Sequence, residues 1–169
     1  KLPIGAYEWV TGDKLHTLIA DLMHNQGRGL DEDGDFSYVF VVTISYPEHL
    51  HDSHSSFPIL PQKRTVAFEE LSPFSQDSLC GQKPISCDKL IADFSIRKQY
   101  PIHLSYLKLA LRLGLHLEEV HSAIQFYQTD FLRPYIEDCM KKRAVSTNEF
   151  DRNFFKLKSN AGVCIAIME

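Results

Sequence analysis

Cysteine is scarce in this 169-residue sequence: there are only Cys80, Cys87, Cys139 and Cys164, widely scattered. That number is too small for the dense disulfide scaffold of a small secreted domain and favours a reducing, intracellular compartment. No stretch approaches the roughly 20 apolar residues that a membrane-spanning helix needs. The opening KLPIGAYEWV has no basic start, apolar run or cleavage site of a secretory signal, and its Lys1 in place of a methionine suggests a piece of something longer. Neither a G-x-S-x-G elbow nor a G-x-x-x-x-G-K phosphate loop occurs, and no cysteine stands in a recognised catalytic context. Nucleophilic hydrolases and P-loop nucleotidases thereby lose their usual carriers. No internal repeat or low-complexity tract is visible.

What is present is a globular composition, 44% hydrophobic and 24% charged, able to bury a sizeable core. The net charge of −4 hides a gradient. Residues 1–70 carry 5 basic and 11 acidic side chains, residues 71–130 carry 6 of each, and residues 131–169 carry 7 basic and 5 acidic. Only the C-terminal third offers a cationic surface for a polyanion.

Along the chain, Leu15, Leu18, Ile19, Leu22 and Met23 in GDKLHTLIADLMHN repeat at helical spacing, with Gly27 and Gly29 to end the helix. The acidic run from Asp31 to Asp35 reads as an exposed turn. FSYVFVVTISY suits a well-buried strand stopped by Pro47. Residues 48–88 are the least regular, with Pro58, Pro61, Pro73 and Pro84, and Pro-x-x-Pro at 58–61 favours an extended path. KLIADF and YPIH look like two short strands joined by the polar turn SIRKQ. LSYLKLALRLG predicts a helix with Leu104, Leu107, Leu111 and Leu115 on one side and Gly114 as its stop. LEEVHSAIQFYQ fits a strand through Val120, Ile124 and Phe126, or a helix through Leu117, Val120, Ala123 and Ile124. Thr129 and Asp130 are placed to cap a helix with Pro134 in its first turn. Ser146 and Glu149 have capping-box spacing and open a last helix carrying Phe150, Phe154, Leu157 and Ala161 on one face.

Two constellations invite a functional reading. His49, His51, Asp52 and His54 could ligate zinc, but no matched ligand pair follows, and Cys80 and Cys87 are spaced too widely for a zinc knuckle; a polar loop is the simpler reading. In NEFDRNFFKLKSNAG, Arg152, Lys156 and Ser159 or Asn160 share a helical face beside the stripe of Phe150, Phe154 and Leu157. A cationic row beside an apolar anchor can grip phosphates; a solvated helix face would look the same.

The same segment resembles motif B of family B DNA polymerases of the protein-primed, organellar and viral type, which runs Lys, three residues, Asn, Ser, any residue, an aromatic and Gly. Lys156 and Asn160 stand at the Lys and Asn positions, and NEFDRNFFKL is similar to the family's lead-in. FVVTISYPEHLHDSHSSFPILPQK resembles a segment of the polymerases of Polinton (Maverick) elements, which makes the histidines part of a family segment with no implied metal role. YPIHLSYLKLALRLGLHLEEVHSAIQFYQTDFLRPYIEDC is similar to the stretch preceding motif B, and LPIGAYEWV to the segment following motif A. The similarity spans nearly the whole chain in the family's order.

The resemblance implies an α+β fold: residues 1–128 as a partial palm, a short antiparallel sheet with packed helices and the insertion between motifs A and B, and residues 129–169 as the helical start of the fingers. It implies a DNA-directed DNA polymerase, with template and primer DNA, deoxynucleotides and a terminal priming protein as partners, no membrane, and a nuclear location for a genome-resident element. Family members bind two Mg²⁺ ions through aspartates of motifs A and C. The aspartate position ahead of the motif A-like Ile44-Ser45-Tyr46-Pro47 is Val41, and no Tyr-x-Asp-Thr-Asp-like motif C occurs. No catalytic or metal residue is therefore assigned, and the chain alone is expected to be inactive. Lys156 and Asn160 carry over as nucleotide contacts. Lys141, Lys142, Arg143, Arg152 and Lys158 form the expected DNA patch. After Asn160 the chain departs from the family; with Gly162 read as an insertion, Met168-Glu169 align with the family's Met-Glu, Cys164 takes the aromatic position and Ile165 the glycine. A non-catalytic nucleic-acid-binding protein, or a decayed relic of a mobile element, is the alternative.

Overall fold

The computed structural model describes residues 1–79 and 88–168, with side chains described through residue 162. Cys80, Pro84, Cys87 and Glu169, and the side chains of Cys164, Ile165 and Met168, lie outside the described residues. In chain order the elements are β1 (Leu2–Val10), α1 (Gly12–Asn25), β2 (Phe36–Ser45), α2 (His51–His54), β3 (Gln62–Thr65), α3 (Pro73–Ser78), β4 (Asp88–Ile91), β5 (Arg97–His103), α4 (Leu104–Arg112), β6 (His116–Thr129), α5 (Arg133–Val145) and α6 (Glu149–Met168). The fold is α+β, with one sheet in the order β1-β6-β2-β5 and a second made of β3 and β4. None of the described helices is long and apolar enough to cross a membrane. Two compact units divide the chain. The larger comprises Glu8–Glu32 and Tyr38–Gln125; the smaller comprises Lys1–Tyr7, Asp33–Ser37 and Phe126–Glu169.

In the larger unit the core follows from periodicity. Phe40, Val42 and Ile44, two apart on β2, are buried on one face of the sheet, as alternation on a pleated strand requires. Leu18 and Leu22 of α1 and Leu104, Leu107, Ala110 and Leu111 of α4 belong to the same apolar cluster. Helix α1 ends where expected: Gln26 (φ 54°) and Gly27 (φ 69°) are left-handed, and the Gln26 N–H bonds back to the Asp21 carbonyl. Gly114 (φ 95°) likewise releases the chain after α4 and lets Leu115 return to the core.

Strand β5 is antiparallel to β2, with Phe40 opposite Ile102, Val42 opposite Tyr100 and Ile44 opposite Arg97. It is an edge strand, where Pro101 can be tolerated because no ladder partner is needed on its outer side. The register slips between Val42 and Ile44, and on β5 the slip coincides with Gln99 in a left-handed conformation (φ 48°). This bulge turns Arg97 onto the core-facing side. Arg97 was expected in a polar turn; it is instead a buried residue that opens β5, only 2% exposed. Its Nε donates to the Leu60 carbonyl (2.7 Å), Nη1 to the Asp93 carboxylate (2.7 Å) and Nη2 to the Asp93 carbonyl (2.7 Å).

The Pro58–Pro61 segment is bent, not extended. Ile59 and Leu60 are both buried, and adjacent side chains can enter one core only if the backbone turns between them; Leu60 accordingly sits at φ 60°. The left-handed conformation costs about 1–2 kcal/mol. Burying two large aliphatic side chains offsets this at about 1.5–3 kcal/mol each.

The ambiguous segment after Gly114 is strand β6, a 14-residue strand between β1 and β2. A helix would have buried Ile124 together with Leu117, Val120 and Ala123. In the strand Val120, Ala123, Gln125, Phe126 and Gln128 are buried while Ile124 is not, so a two-residue alternation shifts twice along its length. On the side of the sheet away from the core, Thr43 Oγ1 lies 2.8 Å from His121 Nε2, and Ser45 donates to Glu118. These are cross-strand pairs that tie β2 to β6.

In the smaller unit, Gln128 ties the 33–35 turn to β6, its N–H to the Asp35 carbonyl (2.8 Å) and its Nε2 to the Gly34 carbonyl (2.9 Å). Rings of Phe36 and Tyr127 meet edge-on with centroids 5.5 Å apart. The expected caps of the last two helices are corrected here. Leu132, not Thr129 or Asp130, is at the N-cap of α5 and makes no side-chain bond; Pro134 in the first turn has no N–H to satisfy. Asp130 still serves this end, its carbonyl accepting the Arg133 N–H (2.8 Å) and its carboxylate pairing with the Arg133 guanidinium (3.3 Å). At α6 the cap is Asn148, whose Oδ1 accepts the Asp151 N–H (2.8 Å) and whose Nδ2 donates to the Asp151 carboxylate (2.7 Å). Ser146 instead closes α5, its hydroxyl donating to the Lys142 carbonyl (2.7 Å).

Candidate nucleic-acid interface

Helices α5 and α6 supply the cations expected to meet a polyanion. They run antiparallel: Tyr135 near the start of α5 donates to the Lys158 carbonyl (2.9 Å), while Arg143 near its end shares a cleft with Arg152. Close approach at the Tyr135 end depends on Gly162, where a Cβ would stand 2.5 Å from the Tyr135 ring. The Lys158 ammonium lies over the same ring, 5.9 Å from its centroid.

This packing corrects the expected anchor of α6. Phe150 (76% exposed), Phe154 (48%) and Leu157 (66%) face outward, and Ala161 is exposed as well. The half-buried stripe is Asp151, Phe155, Ser159 and Gly162. Both stripes have helical spacing, so periodicity alone could not choose between them. The small Ser159 and Gly162 decide it by letting α5 come close.

Lys141, Lys142 and Arg143 are consecutive and fan around the exposed end of α5, where positive charge also complements the helix dipole. Lys142 is paired with Asp138 (2.8 Å), a bond that raises the ammonium's pKa; the pair is half exposed and contributes little stability. Arg143 and Arg152, with Met140 and Ala144, line a cleft of about 360 Å³. Arg152 is oriented there by its Nε bond to the Ser146 carbonyl (3.1 Å), which leaves its terminal nitrogens for another acceptor. Lys156 and Asn160 follow Arg152 at successive four-residue steps, so the three occupy one exposed ridge of α6. Among the described residues, Lys141, Arg143 and Lys156 have no ion-pair partner. The fold thus brings Arg143, Arg152, Lys156 and Asn160 onto neighbouring parts of one helical pair, while Lys142 and Lys158 are engaged within it.

The histidines after Pro47 lie in a short helical segment. His51 stacks on Phe94 (4.3 Å, 8°) with its Nε2 3.2 Å from the Tyr46 carbonyl, and His54 Nδ1 is hydrogen-bonded to the Tyr46 hydroxyl. Among the described residues, no three His, Cys, Asp or Glu side chains are grouped to hold a metal ion.

Sequence reasoning missed a second group of cations, Arg28, Lys108 and Arg112, which line a cleft in the larger unit with Gln26. Only the four-residue spacing of Lys108 and Arg112 was visible in the sequence. Their approach to Arg28 depends on the packing of α1 and α4 in one core. The chain matches no protein-family model, no curated protein and no solved structure.

Proposed function

We propose that this chain is a segment of a DNA-directed DNA polymerase of the protein-primed family B kind, with the sheet and its core helices as palm and α5–α6 as the start of the fingers. Its contribution is binding: Arg143, Arg152, Lys141 and Lys156 neutralise phosphates of template, primer or incoming nucleotide, and Asn160 positions the nucleotide. The observation that supports this most directly is the convergence of Arg143 and Arg152 on one cleft beside the Lys156–Asn160 ridge. Guanidinium forks suit phosphate oxygens because two parallel N–H donors match two acceptors.

A non-catalytic nucleic-acid-binding descendant is the second reading, favoured by the departure from motif B after Asn160, where, with Gly162 as an insertion, Cys164 and Ile165 take the places of an aromatic and a glycine. Fluorescence anisotropy on a primed template at low salt tests the shared claim. Weak binding is expected, with Arg143→Ala plus Arg152→Ala reducing it about tenfold irrespective of sequence. No binding at low salt, or an unchanged double variant, contradicts it. Primer extension with Mg²⁺ and deoxynucleotides should yield no product from this chain; extension would show that catalytic carboxylates lie within it.

A further inference from the structure

The larger unit holds a cleft of about 310 Å³ lined by Gln26, Arg28, Lys108 and Arg112, and no carboxylate is among its lining residues. It belongs to the larger unit, whereas the α5–α6 cations belong to the smaller one, and its assignment goes beyond the function proposed above. Of its three basic side chains Lys108 is paired with Glu32, so Arg28 and Arg112 are left to repel one another in one concavity, an arrangement with a cost unless an anion joins them.

Each of the three has a different role. Lys108 is the fixed one: its ammonium donates to the Leu30 carbonyl (2.8 Å) and pairs with Glu32 (3.0 Å), and its side chain is only 12% exposed. It fastens the loop after α1 over α4, and the left-handed Gly27 allows that approach, since a Cβ there would stand 3.2 Å from Lys108 Cγ. Glu32 balances the Lys108 charge. Arg28 and Arg112 are exposed, and neither guanidinium has a hydrogen bond or ion pair with any described residue. Arg112 is in the last turn of α4, where a cation complements the helix dipole. That explanation does not extend to Arg28, which lies beyond the last turn of α1.

We propose that this cleft is a binding site for a diphosphate group. Two unpaired guanidinium forks can each take two oxygens of one phosphate, so a ligand with two linked phosphates satisfies both, and the Gln26 amide offers a further donor. Lys108 sets the geometry by holding the loop that carries Arg28 against the helix that carries Arg112.

Isothermal titration of the whole chain with inorganic pyrophosphate, orthophosphate and a nucleoside diphosphate tests the assignment. Pyrophosphate and the nucleoside diphosphate should both bind, with orthophosphate at least tenfold weaker. Arg28→Gln plus Arg112→Gln should weaken pyrophosphate at least tenfold, whereas Lys63→Gln plus Lys98→Gln, exposed cations outside this cleft, should leave it unchanged. Pyrophosphate should also raise the melting temperature of the wild-type chain and not that of the Arg28/Arg112 variant. Absence of pyrophosphate binding, equal affinity for orthophosphate, or retention of binding in the Arg28/Arg112 variant would each overturn the proposal. Because the Arg143/Arg152 variant is read by DNA anisotropy and the Arg28/Arg112 variant by pyrophosphate titration, failure here is separable from failure of the α5–α6 surface.

Discussion

Arg97 carries a charge almost wholly removed from water, and its neighbours show why that is tolerated. Asp93 faces it and also accepts from Ser95 (2.6 Å) and Arg64 (3.1 Å). Burial alone would raise the Asp93 pKa, but the hydrogen bonds from Ser95, Arg97 and Arg64 outweigh it and hold the carboxyl well below the usual carboxylate range. The stability from this depressed pKa is present above the ordinary aspartate value near 4 and is lost as pH falls below it. Arg97→Ala leaves Asp93 with Arg64 and Ser95 but strips the buried Leu60 carbonyl of its Arg97 donor, so it should destabilise the fold by about 1–3 kcal/mol in urea unfolding. Arg97→Lys should recover little of that, because an ammonium cannot reach Leu60, Asp93 and Ser95 at once. A variant within about 0.5 kcal/mol of wild type would show that the cluster is solvated.

Helix α4 illustrates how one residue ends one element and begins the next. His103 is the last residue of β5 and the N-cap of α4, its Nδ1 accepting the Ser105 N–H (3.2 Å). Burial lowers the pKa of this imidazole, the Glu32 charge pulling the other way. A group whose folded pKa is depressed stabilises the fold above its unfolded value, near 6.5, and the contribution is lost as pH falls from there. Protonation would also remove the lone pair that caps the helix. His103→Asn keeps a capping acceptor without the titration, so its melting temperature should vary less between pH 7 and 5 than that of the wild type. An equal slope would assign the acid sensitivity elsewhere. The leucine spacing of α1 and α4 was legible because each helix buries one face in one core. Strand β6 was not, since its alternation shifts phase and the pairing with β1 and β2 decides its conformation. The caps at Asn148 and Leu132 were also missed, because several polar residues in a row offer the same local chemistry.

For the molecule as a whole, the charge gradient along the sequence pointed to the C-terminal third as cationic, but not to which side chains remain available. Folding engages Lys142 with Asp138 and Lys158 with Tyr135, and it draws Arg143 and Arg152 together from two helices. The cleft of Arg28, Lys108 and Arg112 escaped the same reasoning because Arg28 stands beside the acidic 31–35 run and the other two come from a distant helix, and only tertiary packing collects those cations. The α5–α6 surface is the centre of the account, and the salt dependence of DNA affinity tests it most directly. Log affinity for a primed duplex should fall linearly with log salt, and Arg143→Ala plus Arg152→Ala should make the slope shallower by about 0.9 for each phosphate contact removed. A slope identical in wild type and double variant would contradict the claim that these two guanidiniums meet the backbone.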